Sequence, residues 1–194
     1  MRTNDDRRLV IVPQRYVKRA FDRAEEIVAW YASEEGQRSL SRSVSGPWGA
    51  ERDPIRQSTG KIGEVAVAIF FNLDPETAIF WSAGTGGDGN SDIKLPRYLV
   101  DVKTNVAQRK EFYWSMAVNH LFQSKRFDVL ISVSYEDYKF QNCWLEGWIS
   151  KQNFYEQKKI ASKSDGTGLT PGTWYMNKRE LLSIDSLLST RATV

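Results

Sequence analysis

Apolar residues recur at Val17, Phe21, Ala24, Val28 and Tyr31, at intervals of 4, 3, 4 and 3. That spacing lines one face of a helix and predicts it over about Arg15 to Glu35, with Gly36 as its stop. A second helix is expected from about Ser58 to Asn72, capped by Ser58 or Thr59. Its centre, IGEVAVAIFF, is apolar on nearly every side and is therefore expected to be buried. The pattern then shifts to short segments rich in β-branched and aromatic residues: TAIFWS, SDIKLP, YLVDVKTN and FDVLISVSY. CWLEGWIS reads as a further strand leading into a short helix near Gln152 to Lys158. Trp174 to Met176 reads as a last strand, and SIDSLLS as a short terminal helix. Helices first and then a mixed sheet with few helices argue for one α/β or α+β domain.

Between the two predicted helices runs GQRSLSRSVSGPWGAERDPIRQSTG, rich in Ser, Gly and Pro and carrying Arg38, Arg42, Arg52 and Arg56. A segment of this length without periodicity is typically a binding loop or disordered. Four arginines on it suit phosphate groups, and Trp48 suits stacking against a base.

Composition narrows the chemistry. At 194 residues, 41% hydrophobic and 26% charged, the chain has a globular profile and the length of one domain. A chain of this size buries roughly 70% of its unfolded surface, so it needs neither disulfide nor structural metal to fold. The single cysteine, Cys143, excludes an internal disulfide and a cysteine zinc cluster; the single histidine, His120, excludes a multi-histidine metal site. Carboxylate, lysine and hydroxyl chemistry remain. A net charge of +3 permits a nucleic-acid partner without requiring one. No apolar run approaches a membrane span, and LVIV near the start is too short for a signal-peptide core, so a soluble, cytoplasmic protein is expected.

The informative segment is SDIKLPRYLVDVKTN. With Pro96 and Arg97 as a two-residue turn, position 95 faces 98, 93 faces 100, and Asp92 faces Asp101. Strand alternation puts Asp101 and Lys103 on one face, with Tyr98, Val100 and Val102 on the other. Asp92, Asp101 and Lys103 therefore converge. Opposed carboxylates weaken a sheet unless a cation lies between them, so Asp101→Asn is expected to raise the melting point of the metal-free protein. Glu64, in the middle of the apolar helix, is a buried carboxylate that must be paired, protonated or metal-bound. Paired with Lys61 it is structural; near the aspartates it belongs to their site. An all-carboxylate site suits Mg²⁺ or Mn²⁺ rather than zinc. With a lysine beside it, the set holds what metal-assisted phosphodiester hydrolysis needs.

Glu64 in a helix, then Asp92, then Asp101-x-Lys103 on a strand, resembles the PD-(D/E)XK nuclease superfamily. The resemblance implies an α/β restriction-endonuclease-like core, a central mixed β-sheet flanked by helices, with an N-terminal helical extension. Asp92 and Asp101 would be metal ligands with the Val102 carbonyl, Lys103 the catalytic lysine and Glu64 the accessory acid. The single domain would divide into a helix and Arg-bearing loop (1–57), a catalytic core (58–150) and a C-terminal elaboration (151–194). Ser91 stands where the family often has Pro, and Asp101-x-Lys103 replaces the commoner ExK form. The implied activity is a Mg²⁺-dependent endonuclease acting on DNA, restriction-like or phage-type, with Mn²⁺ as a substitute and a homodimer as an expected assembly. A Holliday-junction resolvase, a recombination exonuclease and a non-catalytic nucleic-acid-binding protein share the fold and stand as alternatives.

Other signals carry less. GTGGDG, Gly84 to Gly89, matches a dinucleotide fingerprint literally but precedes an extended piece rather than a helix; Asp88 within it is a spare ligand at best. Ser132 and Ser134 lie in a strand without a nucleophile elbow. Lys151, Lys158, Lys159 and Lys163 form a local positive excess that suits solvent or phosphates.

Overall fold

Pro13 opens the first long helix, because the amides of Tyr16 and Val17 both donate to its carbonyl. In this computed structural model, which describes residues 6–34, 54–81, 91–107, 125–136, 139–162 and 171–189, that helix is α1, Gln14–Ala32. Its buried side chains are Tyr16, Val17, Ala20, Arg23 and Ala24, with Val28 and Tyr31 half-buried, so the predicted apolar stripe dips inward mainly in the first half. The helix stops at Ala32, ahead of Gly36, where the Ser33 amide turns back to the Trp30 carbonyl at 3.0 Å.

The second helix, α2, spans Pro54–Phe70 and starts earlier than expected. Proline suits a first helical turn, where its missing N–H has no partner to lose. Ser58 and Thr59 are consequently inside the helix rather than capping it: both hydroxyls donate to the Ile55 carbonyl, at 2.9 and 2.6 Å. At the far end Asn72 adopts φ 55°, its amide reaching Ile69 O at 3.0 Å and the Leu73 amide reaching Ala68 O at 2.9 Å. This is the two-bond stop that a left-handed residue makes after a helix.

The described residues of TAIFWS, Thr77 to Trp81, form no strand. Asp74 caps a short helix, α3 (Pro75–Ala78), by accepting from the Glu76 amide, and the Trp81 indole donates to the Pro75 carbonyl at 2.9 Å. The Asp-Pro start and this tether override the β propensity of the aromatic residues that follow.

The strands are β1 (Arg8–Ile11), β2 (Ile93–Lys94), β3 (Leu99–Ala107), β4 (Val129–Glu136) and β5 (Asn142–Ser150). They form one sheet in the order β1-β5-β4-β3-β2. Only β3 and β4 run parallel; the other pairs are antiparallel, so the sheet is mixed and the chain is of the α/β class. The strand β1, built from the LVIV stretch, adds an edge not anticipated from the sequence. After β5 come α4 (Lys151–Gln157), a small hairpin of β6 (Lys159–Ile160) and β7 (Trp174–Tyr175), a 3₁₀ turn at Lys178–Glu180 and α5 (Ile184–Ser189).

Alternation along β3 divides the interior into two clusters. Val100 and Val102 face α1 and α2 with Ile62, Val65, Ala66 and Ile131. Leu99 faces the other way, toward Phe127, Leu130, Ile149, Phe154, Met176 and Leu181. At the contact of α2 with β3, a Cβ on Gly63 would stand 1.8 Å from the Thr104 hydroxyl oxygen, so only glycine permits this approach. Among the described residues, no helix is long and apolar enough to cross a membrane.

Candidate active site

The hairpin register places the two aspartates. Ile93 pairs with Val100 and Lys94 with Leu99, and the Leu95 amide donates to Tyr98 O at 2.8 Å across the Pro96–Arg97 turn. Continued by one residue, this pairing sets Asp92 opposite Asp101, on the sheet face away from α2. The two acids are buried, Asp92 at 8% and Asp101 at 0% exposure. Lys103, two residues along the same strand face, reaches Asp101 Oδ2 with its Nζ at 2.5 Å and keeps 27% of its side chain exposed.

A second lysine completes the cluster. Lys125 Nζ lies 2.9 Å from Asp92 Oδ1 and also contacts Asp101 Oδ1. The cation that opposed carboxylates demand is thus part of the chain. Lys125 comes close because β4 runs parallel to β3, so the residues that lead into β4 lie beside the start of β3. The Asp128 amide donates to Leu99 O at 2.8 Å, and the Leu99 amide to Asp128 Oδ2 at 2.8 Å. From α4, Lys151 Nζ holds the Lys125 carbonyl at 2.7 Å and rests on the Phe127 ring at 4.6 Å. The sequence reading passed over Lys125; its signal was a basic pair, Lys125-Arg126, directly before a strand.

Each carboxylate is held differently. Asp92 Oδ2 accepts from the Val102 amide at 2.6 Å. Both oxygens of Asp101 are fully buried and, among the described residues, have ammonium contacts but no well-directed hydrogen bond. Carboxylate oxygens buried without directed donors, in a set containing only hard oxygen donors, fit a hard divalent cation. The Val102 carbonyl fits too, because amide and carbonyl of one strand residue point to the same edge, and its amide already faces Asp92. Nearby on α4, burial, and after it the charge of Asp101, raises the Tyr155 phenol above its usual 10.0.

Glu64 is placed elsewhere. It is buried on α2 and pairs with Lys61 Nζ at 2.7 Å, one turn away. Among the described residues, no three acids, histidines or cysteines are grouped closely enough to cradle a metal, so the structure does not bring Glu64 into one set with Asp92 and Asp101. Arg38, Arg42, Trp48 and Arg52 lie outside the described residues, as do His120, Lys163 and residues 84–89, Asp88 among them; Arg56 lies in the first turn of α2. Of the other basic residues near α4, Lys158 covers the Trp174 ring at 4.7 Å and Lys159 pairs with Glu180 at 2.8 Å.

The same sheet face carries a third buried acid, Glu146. A register shift between Ser132 and Val133 leaves Glu146 unpaired in the ladder, next to Gly147 at φ 146°. Glu146 accepts from Ser134 Oγ at 2.5 Å and from Lys178 Nζ at 2.7 Å, with Arg7 at 3.9 Å. Ser134 is therefore bound to a carboxylate in a structural clasp, joining the 3₁₀ turn and the start of β1 to the sheet.

Comparison of the chain with protein-family models, with curated proteins and with solved structures finds no match.

Proposed function

We propose that this protein is a divalent-metal-dependent DNA endonuclease built on a restriction-endonuclease-like core. The observation that carries the reading is the buried pair Asp92 and Asp101, opposed across the β2–β3 hairpin with the Lys103 ammonium 2.5 Å from Asp101. Hydrolysis of a phosphodiester needs charge neutralisation around the phosphate, an activated water and a group that stabilises developing negative charge. Asp92 and Asp101, with the Val102 carbonyl, are the oxygen donors for Mg²⁺ or Mn²⁺. A bound divalent cation supplies the acidified water and the neutralising charge. Lys103 is partly exposed, and its ammonium can reach a phosphate oxygen or hold the attacking water while Asp101 orients it. Glu64 keeps in this reading the role of accessory acid that the resemblance gives it, paired with Lys61 on α2.

The arginines of residues 38–56 and Trp48 supply contacts to the DNA backbone and bases, the part of binding that positions substrate without performing chemistry. The test is incubation of the purified chain with supercoiled, linear, single-stranded and four-way-junction DNA in Mg²⁺, Mn²⁺ or EDTA. Metal-dependent nicking or cleavage that is lost in Asp101→Ala and Lys103→Ala supports the reading. Preference for the four-way junction would make it a resolvase, and digestion from ends only would make it an exonuclease. Absence of cleavage on every DNA, with binding retained, would make it a non-catalytic binding protein.

A further inference from the structure

Two carboxylates facing each other at close range in a buried hairpin are held apart from water and repel one another, so the folded chain needs a positive charge between them before any metal arrives. Lys125 supplies it: its Nζ lies 2.9 Å from Asp92 and contacts Asp101, with only 22% of the side chain exposed. Lys103 touches Asp101 alone among the two acids in the ion pairs that the structure shows. The two lysines are thus unequal. Lys103 stands at the side of the site, whereas Lys125 spans it.

The main chain at Lys125 is fixed while its side chain is long. Its carbonyl is held by Lys151 Nζ at 2.7 Å, and Lys151 is itself tied by its amide to Asp128 O at 2.8 Å. Four methylene groups separate that anchored backbone from the ammonium, so Nζ can swing away without displacing β4. An ammonium and a hydrated divalent cation compete for the same carboxylate oxygens, because both are drawn by the same negative potential.

We infer that Lys125 is a built-in counter-ion of the Asp92–Asp101 site, occupying the divalent-cation position in the metal-free chain and giving it up when the cation binds. This rests on the proposed metal-dependent function and adds a regulatory residue to it: Lys125 keeps the site assembled and sets a threshold concentration for the metal. It is a positioning residue, in contrast to Lys103. A site closed by its own ammonium about nine times in ten binds a competing ion about tenfold more weakly than the open site would.

The experiment measures Mn²⁺ binding to the intact chain, by the loss of the free-ion electron paramagnetic resonance signal, for the parent, Lys125→Met and Lys125→Arg. Lys125→Met, which keeps the length and removes the charge, is expected to bind Mn²⁺ about tenfold more tightly or better. It should also melt lower than the parent in EDTA and recover with Mn²⁺. Lys125→Arg should bind no more tightly than the parent. In the parent, acylation of Lys125 read by mass spectrometry should rise on adding Mn²⁺, while labelling of the exposed Lys18 stays constant; this second measurement holds even if Lys125→Met fails to fold. Equal or weaker Mn²⁺ binding by a folded Lys125→Met, or Lys125 labelling indifferent to Mn²⁺, would overturn the inference. If the parent cleaves DNA with metal but Lys125→Met leaves the affinity unchanged, the inference falls and the nuclease reading stands. If no chain cleaves DNA but Lys125→Met gains Mn²⁺ binding, the nuclease reading falls and the counter-ion role stands. Failure of every chain to bind Mn²⁺ removes both.

Discussion

The Val102 amide donates to Asp92 Oδ2 at 2.6 Å, so the first acid of the site is stitched to the strand segment lying between Asp101 and Lys103. Beyond Ile93 toward Asp92 the strand β2 has ended, and a side-chain carboxylate takes over the role of a strand partner for β3. Asp92→Ala removes both the charge and that acceptor, leaving a buried N–H unsatisfied, whereas Asp92→Asn keeps an acceptor in place. Leaving a buried donor without partner costs about 1–3 kcal/mol. Asp92→Ala should therefore be less stable than Asp92→Asn by that amount, read by denaturant unfolding, while both lose metal-dependent cleavage equally. Equal stability of the two variants would show that the Val102 amide does not depend on Asp92.

Lys125 reverses the expectation that Asp101→Asn should melt higher without metal. Two ammonium groups touch Asp101, so neutralising it leaves Lys103 and Lys125 facing one carboxylate instead of two. Asp101→Asn should melt below the parent in EDTA by several degrees, taking about 2–4 °C per kcal/mol for a chain of this size. Differential scanning calorimetry with and without Mn²⁺ gives the answer, and the variant should lose most of any metal response. In the same series Lys103→Ala should abolish cleavage yet retain DNA binding in Ca²⁺, because phosphate contacts elsewhere carry the affinity.

Two glycines of α2 should respond oppositely to alanine. At Gly60 an added Cβ meets no atom within 4 Å, and helix propensity then favours Gly60→Ala by about 0.5–1 kcal/mol. At Gly63 the added Cβ would meet the Thr104 hydroxyl at 1.8 Å and its Cβ at 2.9 Å. Gly63→Ala should cost about 1–3 kcal/mol through overpacking, and Thr104→Ala in the same chain should recover part of that loss. Chemical denaturation of the four proteins decides it; a stable Gly63→Ala would mean that α2 and β3 are not in such close contact.

The arginines of residues 38–56 are testable through salt. Each phosphate contact contributes about 0.9 to the slope of log affinity against log salt on duplex DNA. Replacing Arg38, Arg42, Arg52 and Arg56 together should weaken binding and reduce that slope by up to about 3–4. An unchanged slope would take this segment out of the DNA interface.

Burial pushes the Cys143 thiol from 9.0 up to about 12. The unfolded chain therefore sheds this proton at lower pH than the folded one, and rising pH favours unfolding. The stability this group contributes is complete below pH 9 and is lost progressively toward pH 12. Cys143→Ala should lower stability at neutral pH by about 1 kcal/mol for the lost volume, yet show a shallower decline of melting point above about pH 9. In the parent, a thiol reagent at pH 8 should react with Cys143 only as fast as the chain opens, since thiolate is the reactive form.

What was legible in the sequence was local. The turn at Pro96–Arg97 and the two-residue alternation of strands are properties of adjacent residues, and they placed Asp92 opposite Asp101 with Lys103 on the same face. The periodic, apolar heart of α2 was equally readable, although the helix starts at Pro54, which leaves Ser58 and Thr59 inside it with their hydroxyls turned back onto Ile55. TAIFWS misled because its composition favours strands, while Asp74 and Pro75 just before it impose a helical turn.

By itself, then, the sequence determined the α/β character, the hairpin register and the pair of acids with their lysine, because periodicity and turn chemistry act over a few residues. Only the tertiary structure decided that Lys125 stands between those acids, that LVIV closes the far edge of the sheet, and that Glu64 pairs with Lys61. The first two depend on long-range strand pairing, and the third on which side of α2 turns inward. Parallel pairing of β3 with β4 joins segments separated by a crossover connection, and no local pattern specifies which residue such a closure will deliver to a buried pair of charges.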